Sequence, residues 1–276
     1  MRYTIGVDIG GSEIKAGLVK GRKVVKKCNV DTESSKGSAV VFSNVVKVVE
    51  SLWRKEVSGI GIGCAGLIDD GVVLFSPNLP FKNFDLRKKV REKFKVKVSV
   101  ENDADCFALA EGELGSAKGC ENFIGLTLGT GVGSGVVIDG KLHHGMGEIG
   151  HVTIDFDGPR CGCGNKGCIE AYIGGYCVKK RLGKSLKEYY SLACKGNRNA
   201  LGVFKNYGKF LGIGIANIIN AFNPDVIVIG GNASKAWKFF NKSMKKEIKR
   251  ALTKCPVVRS TLSDPGIVGA SLLLKS

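Results

Sequence analysis

Four residues set close together have the most specific chemistry in this chain. His151, Cys161, Cys163 and Cys168 supply one imidazole and three thiols within eighteen residues, joined by glycine-rich linkers that let the backbone wrap a tetrahedral ion. A Cys161–Cys168 disulfide would strand Cys163, whereas a Cys3His zinc site uses every thiol and leaves no open position for catalysis. Glu148 precedes His151 by three residues and Glu170 follows Cys168 by two, so closing the loop 148–170 brings two carboxylates toward one place. Surface glutamates are the plain alternative. Paired acceptors of this kind suit a ligand rich in vicinal hydroxyls.

A second carboxylate cluster, Glu101-Asn102-Asp103, stands where a strand ending at Val100 passes into a helix beginning near Ala104. Asp103 is the candidate general base, although Asn102 or Asp103 could equally cap the helix. Three glycine turns complete the set. Asp8 ends a strand before Gly10-Gly11-Ser12, where bare backbone N–H groups can approach phosphate and Asp8 could hold magnesium through water. Leu128 to Gly135 carries Gly129, Thr130, Gly131 and Gly133 and leads into a strand, so it is not a dinucleotide fingerprint. Gly230-Gly231-Asn232 lies between a strand and a helix, a setting suited to a nucleotide. The first is not a Walker A loop, and alone it reads as an ordinary hairpin.

The elements that position these residues repeat. Ile5 to Lys23 and Ile124 to Leu142 align without gaps at an offset of 119 residues, matching Ile5 with Ile124, Gly6 with Gly125, Gly10 with Gly129 and Gly21 with Gly140. Hairpins resemble one another, but the preferred reading is two homologous α/β domains with mixed sheets. Further strands are expected at Val57 to Gly63, Phe94 to Val100 and Val226 to Ile229. Helices are expected at Ala104 to Leu114, Val203 to Phe222 and Ser234 to Thr253. The boundary is placed near Cys106, giving a smaller domain over 1–106 and a larger one over 107–263, with a final helix at 264–276 packing back on the first.

At 276 residues and 43% hydrophobic composition the chain can bury ordinary cores. No apolar run is long enough for a membrane span and a strand-like run starts at Tyr3, so a cytoplasmic address is expected. The other seven cysteines are scattered singly and read as buried or inert thiols. A net charge of +17 favours anionic ligands, but the basic residues spread along helix-like stretches such as Lys242 to Lys254 without aromatic interleaving, which argues against specific nucleic-acid binding.

Taken together, the segments Asp8 to Lys15, Leu128 to Gly135, Glu148-Ile149-Gly150-His151 and Cys161 to Glu170 resemble the motifs of the ROK family of repressors, open reading frames and kinases. The resemblance covers nearly the whole chain and implies an actin-like, ribonuclease H-like ATPase fold. It implies an ATP- and magnesium-dependent hexose kinase with structural zinc. Asp103 becomes the general base, and Asn78, Asn102, Glu148, His151 and Glu170 contact the sugar, together with Asp103. Phosphate and nucleotide fall to Asp8, Gly10, Gly11, Ser12, Lys15, Gly129, Thr130, Gly131, Gly133, Gly230 and Gly231. His151 would be both zinc ligand and sugar contact. Ser12 stands where threonine is usual, and Ala65 where proline is usual.

The sugar is not fixed by these motifs: glucose phosphorylated at C6 is the first expectation, with an N-acetylhexosamine or fructose kinase as alternatives. A sugar-responsive transcription regulator is the rival from another class, and with the first motif beginning at Asp8 it would have to bind DNA through basic surface alone. A noncatalytic sugar-binding module is opposed by the nucleotide turns. A homodimer is compatible with the resemblance.

Overall fold

A computed structural model of the chain describes residues 3–144 and 147–275. The described residues form two compact units, one within 3–118, 142–144 and 262–275 and the other within 119–141 and 147–261. Positions 1, 2 and 276 of the expected domain limits lie outside the described residues.

The first unit contains β1 (Tyr3–Ile9), β2 (Glu13–Lys20), β3 (Lys23–Asp31), α1 (Ser38–Leu52), β4 (Val57–Cys64), β5 (Leu67–Asp69), β6 (Val72–Phe75), β7 (Lys82–Asp85), α2 (Leu86–Phe94), β8 (Lys97–Asn102) and α3 (Asp103–Leu114). The second contains β9 (Phe123–Leu128), β10 (Val132–Ile138), β11 (Lys141–Leu142), α4 (Ile169–Ile173), α5 (Gly175–Leu182), α6 (Leu186–Cys194), α7 (Arg198–Phe222), β12 (Val226–Gly230), α8 (Trp237–Ile248) and β13 (Val257–Arg259). The last helix, α9 (Pro265–Leu272), returns to the first unit.

The sheets run β3-β2-β1-β4-β8 and β11-β10-β9-β12-β13, the same order in each unit. In both, the first hairpin is antiparallel and the later strands are parallel, as the internal repeat leads one to expect. The gapless offset fails by one residue across the first turn. Ile5 pairs with Leu18, but Ile124 pairs with Val136 because the β9–β10 turn is one residue shorter. A small antiparallel sheet, β5-β6-β7, is inserted in the first unit and carries the chain toward Asn78.

Burial explains the elements. Ile5, Val7 and Ile9 of β1, Ile60 and Ile62 of β4 and Val41, Val45, Val48 and Val49 of α1 form one core. Side chains at Phe204, Tyr207, Leu211, Ile215, Ile218 and Ile219 give α7 a helical apolar stripe against Ile124, Leu126, Ile227 and Ile229. Asn197 caps its first turn by accepting the Ala200 N–H at 3.0 Å, and Asn223 ends it in the left-handed region before Pro224.

Two expectations need correction. Phe94 belongs to the end of α2, not to the following strand: Leu86 and Val90 face the core at helical spacing, and Lys95 closes the helix at φ 57°. The helix expected over Ser234 to Thr253 begins as a short 3-10 turn and is α-helical only over α8. Cys106, near which the domain boundary is placed, lies within α3, and the first unit continues to Lys118. The helix α9 approaches the sheet closely enough that a Cβ on Gly61 would stand 1.7 Å from the Ala270 carbonyl oxygen.

Candidate active site

In the first unit, Asp8 is the penultimate residue of β1, opposite Lys15 on β2 and Gly63 on β4. Burial pushes its carboxyl up to about 7, and the charge of Asp103 adds to the shift, while Lys15 opposes it. The turn after Asp8 is held by Thr32, a residue the sequence reading did not single out. Its hydroxyl donates to the Gly10 carbonyl at 2.6 Å, and its N–H to the Ser12 carbonyl at 3.0 Å. Thr32 is fully buried, and a lone threonine at the end of a strand carries no sequence signal for that role. Asn78 packs on the same turn, so that a Cβ on Gly11 would lie 3.0 Å from the Asn78 Cβ. Ser12 and Lys15 are exposed, and Lys15 pairs with Glu13 at 3.4 Å.

At the end of β8 the two readings of the Glu101-Asn102-Asp103 cluster separate. Asn102 is the cap of α3: its Oδ1 accepts the N–H groups of Ala104 at 2.7 Å and Asp105 at 3.3 Å. Its Nδ2 donates to the Gly66 carbonyl at 2.9 Å, which leaves one amide N–H for another partner. Asp103 follows as the first helical residue, its Oδ1 accepting the Ala104 N–H at 3.0 Å. The helix therefore has its cap without requiring Asp103 in that role. Glu101 accepts the Asn102 N–H at 2.9 Å and is also paired with His144, a contact that sequence spacing gave no means of finding.

In the second unit the four presumed zinc ligands converge, with their ligand atoms all within 4.8 Å of one another. Cys163 Sγ and Cys168 Sγ are 3.8 Å apart, and Cys161 Sγ and His151 Nδ1 are 3.6 Å apart. A tetrahedral ion with Zn–S of about 2.3 Å and Zn–N of about 2.0–2.1 Å requires edges of about 3.8 and 3.6 Å, so the donor set fits zinc. The loop is shaped by the Cys161 N–H donating to the Asn165 carbonyl at 2.8 Å and by Gly164 and Gly167 at positive φ. With His151 Nδ1 toward Cys161, its Nε2 lies 3.8 Å from the exposed Glu148 carboxylate. Burial pushes the Cys161 thiol up to about 12, so metal entry must displace protons.

Glu170 ties this loop to the second glycine turn. Its Oε2 accepts the Val132 N–H at 2.8 Å, and a Cβ on Gly131 would stand 2.4 Å from that same oxygen. Thr130 is exposed at the turn tip, and the carbonyls of Gly129 and Thr130 accept N–H groups from Gly175 at 3.0 Å and Tyr176 at 2.9 Å. The third turn leans on the second: Gly231, at φ 79°, is so close that a Cβ would lie 2.4 Å from the Leu128 carbonyl oxygen. Gly231→Ala is accordingly expected to strain this turn and to cost about 1–3 kcal/mol of stability, a loss that denaturant unfolding of wild type and variant measures.

The remaining cysteines form no disulfide. Cys64 and Cys106 are buried, and burial raises both thiols well above their ordinary range, while Cys194 is exposed. Among the described residues no helix is long and apolar enough to cross a membrane.

Comparison with known proteins adds an independent line. The family model described as ROK family matches residues 4–276. A glucokinase of Thermotoga maritima is 33% identical, with 98% of this chain and 96% of that protein covered. The xylose repressor of Bacillus subtilis is 38% identical over 89% of this chain and 68% of its own length. Among solved structures, a ROK family glucokinase from Streptomyces griseus in complex with glucose and AMPPNP superposes with a TM-score of 0.87 at 30% identity, covering 98% of each chain. The mixed sheets and repeated strand order are those of the actin-like ATPase fold.

Proposed function

The chain belongs to the ROK family, and from that membership we propose that it is an ATP-dependent hexose kinase, transferring the γ-phosphate of MgATP to a sugar hydroxyl, glucose C6 first among the candidates. The observation that supports the reading is at the end of β8, where Asn102 caps α3 through the Ala104 and Asp105 N–H groups, so that the cap does not rest on Asp103, and where the charge of Asp103 raises the Asp8 carboxyl. The glucokinase relatives support the same reaction class.

In this reading Asp103 accepts the proton of the attacking hydroxyl, which is the main covalent assistance a phosphoryl transfer to an alcohol needs from protein. Asn78, Asn102, Glu148, His151 and Glu170 orient the sugar, acting as acceptors and donors for hydroxyls that lose water on binding. The backbone N–H groups of the turns at Gly10-Gly11-Ser12 and Gly129-Thr130-Gly131-Val132-Gly133 hold the phosphates, with Lys15 nearby in charge. Gly230 and Gly231 face the nucleoside. Phosphate charge would be offset by magnesium carried in with ATP. Asp8 is the carboxylate suited to it, because the mutual repulsion of Asp8 and Asp103 is relieved by a hard cation. Zinc, when bound by His151, Cys161, Cys163 and Cys168, is structural and fixes the direction of the His151 ring.

The Asp8 shift has a definite sign. A carboxyl that holds its proton up to about 7 in the fold, against 3.8 ordinarily, binds more protons folded than unfolded between those values, so the ligand-free fold loses stability as pH rises through that window. Wild-type Tm should therefore fall more between about pH 4 and 7 than that of Asp8→Asn, in which this contribution is absent. Parallel pH profiles of the two proteins by thermal unfolding measure it; coincident profiles contradict the assignment.

The reading is tested by ADP release across glucose, mannose, fructose, glucosamine and the N-acetylhexosamines. Strong turnover with one sugar supports it and names the substrate. The xylose repressor relative favours a second reading, a sugar-responsive regulator, which predicts sugar binding without ADP release for every sugar.

A further inference from the structure

The exposed positions of α8 are all lysine, Lys238, Lys242, Lys245 and Lys246, with Trp237, Phe239, Asn241, Ser243 and Ile248 half-buried between them, and Lys249 continues the row past its last residue. At 3.6 residues per turn, positions 238, 242, 245 and 249 fall on one stripe about 16 Å long, with Lys246 along its side. The opposite face, with Phe240 and Met244, is buried in the core of the second unit. The one acidic residue of the helix, Glu247, is also buried and is paired with Arg250 at 2.8 Å. Among the described residues no ion pair reaches any of the five lysines, and Lys238 lies over the Phe239 ring at 4.8 Å. Like charges four residues apart weaken a helix, so this row works against the free protein unless something anionic meets it.

We infer that the row docks the phosphodiester backbone of duplex DNA without reading its sequence. A basic stripe along a helix in a chain of pI about 9.5 is the electrostatic footprint of such binding. Its chemistry excludes other occupants. An acidic protein partner calls for aromatic or arginine anchors at the centre of the contact, and the stripe has none. Membrane attachment calls for apolar side chains beside the basic ones, but those of α8 are spent on the core. Single-stranded nucleic acid calls for exposed aromatic platforms, and RNA for polar groups addressing the 2′-hydroxyl; the exposed row has neither. Lysine ammonium groups, compact and unforked, fit phosphate as point charges. A row about 16 Å long spans about five phosphates at 3.4 Å per strand position.

The inference does not depend on the kinase reading, since no residue of the row is assigned to that site. Fluorescence anisotropy with a mixed-sequence duplex of about 20 base pairs tests it over a range of salt. Five neutralised phosphates predict a slope of about −4.5 in log affinity against log salt. Combining Lys238→Gln, Lys242→Gln, Lys245→Gln and Lys249→Gln should reduce the slope by about one for each lysine. A control with Lys82→Gln, Lys88→Gln, Lys89→Gln and Lys93→Gln removes the same charge from the first unit and should keep the slope. Unchanged Tm in both variants shows that folding is not the cause of any loss. Equal losses in variant and control, a wild-type slope near zero, tighter binding of the single strand than of the duplex, or retention by phosphatidylserine vesicles without duplex binding would each overturn the assignment.

Discussion

Asp103→Asn is expected to lower turnover by roughly 10²-fold or more while leaving sugar affinity nearly unchanged. The substitution keeps the size of the side chain and an oxygen able to accept the Ala104 N–H, a bond now 3.0 Å long, so the start of α3 should survive. Because Asn102 supplies the cap through Ala104 and Asp105, the helix does not depend on the Asp103 charge. What the substitution removes, on the proposed reading, is a base. Sugar titration separates the two ways in which turnover can fall: weakened binding points to positioning of the hydroxyl, and intact binding with lost turnover points to proton transfer. The mutation carries an internal check as well. The Asp103 charge helps raise the Asp8 carboxyl, so Asp103→Asn should also lower the pH at which Asp8 ionises. Near-normal turnover would reduce Asp103 to a residue of the helix terminus.

The second large effect concerns the metal loop. Zinc should copurify at about one ion per chain, and Cys163→Ser should abolish that stoichiometry and weaken sugar binding roughly tenfold or more. Cys163 is exposed, so the change itself disturbs little packing, whereas Cys168 is buried and its replacement would confound metal loss with damage to the core. Nucleotide affinity should suffer less, because the glycine turns are held by their own backbone bonds. It should not be untouched: Glu170 reaches from the metal loop to the Val132 N–H, so loosening the loop relaxes one side of the second turn. Metal analysis with calorimetric titration of sugar and nucleotide measures all three quantities. Full sugar affinity in protein free of zinc would remove the structural role.

Much of this was legible in the residues because the signals are local. The four candidate metal ligands stand out by type and spacing, and the geometry adds that they converge, with two of their separations at tetrahedral edge lengths. The duplicated plan showed in the glycines and apolar residues flanking the first turn of each half, since a strand and a tight turn leave a period in the sequence. The one-residue slip across that turn left none, because alternation of inward and outward side chains survives in either register when both faces are apolar or small. Likewise Phe94 reads as the start of a strand when seen beside Val96, Val98 and Val100, and only its packing with α2 shows otherwise. Least legible were contacts between residues distant in the chain. Thr32 bonding to the first turn, Glu170 bonding to the second and Glu101 meeting His144 are each made by single side chains with no repeating pattern.

The most direct test of the kinase assignment is phosphorus NMR of wild-type protein incubated with MgATP and glucose, and with the other hexoses in turn. The account predicts that the γ-phosphate signal of ATP is replaced by a sugar phosphomonoester, one for each ADP formed, with coupling to the C6 protons when glucose is the acceptor. ATP that persists with every sugar, or that yields only inorganic phosphate, would contradict it.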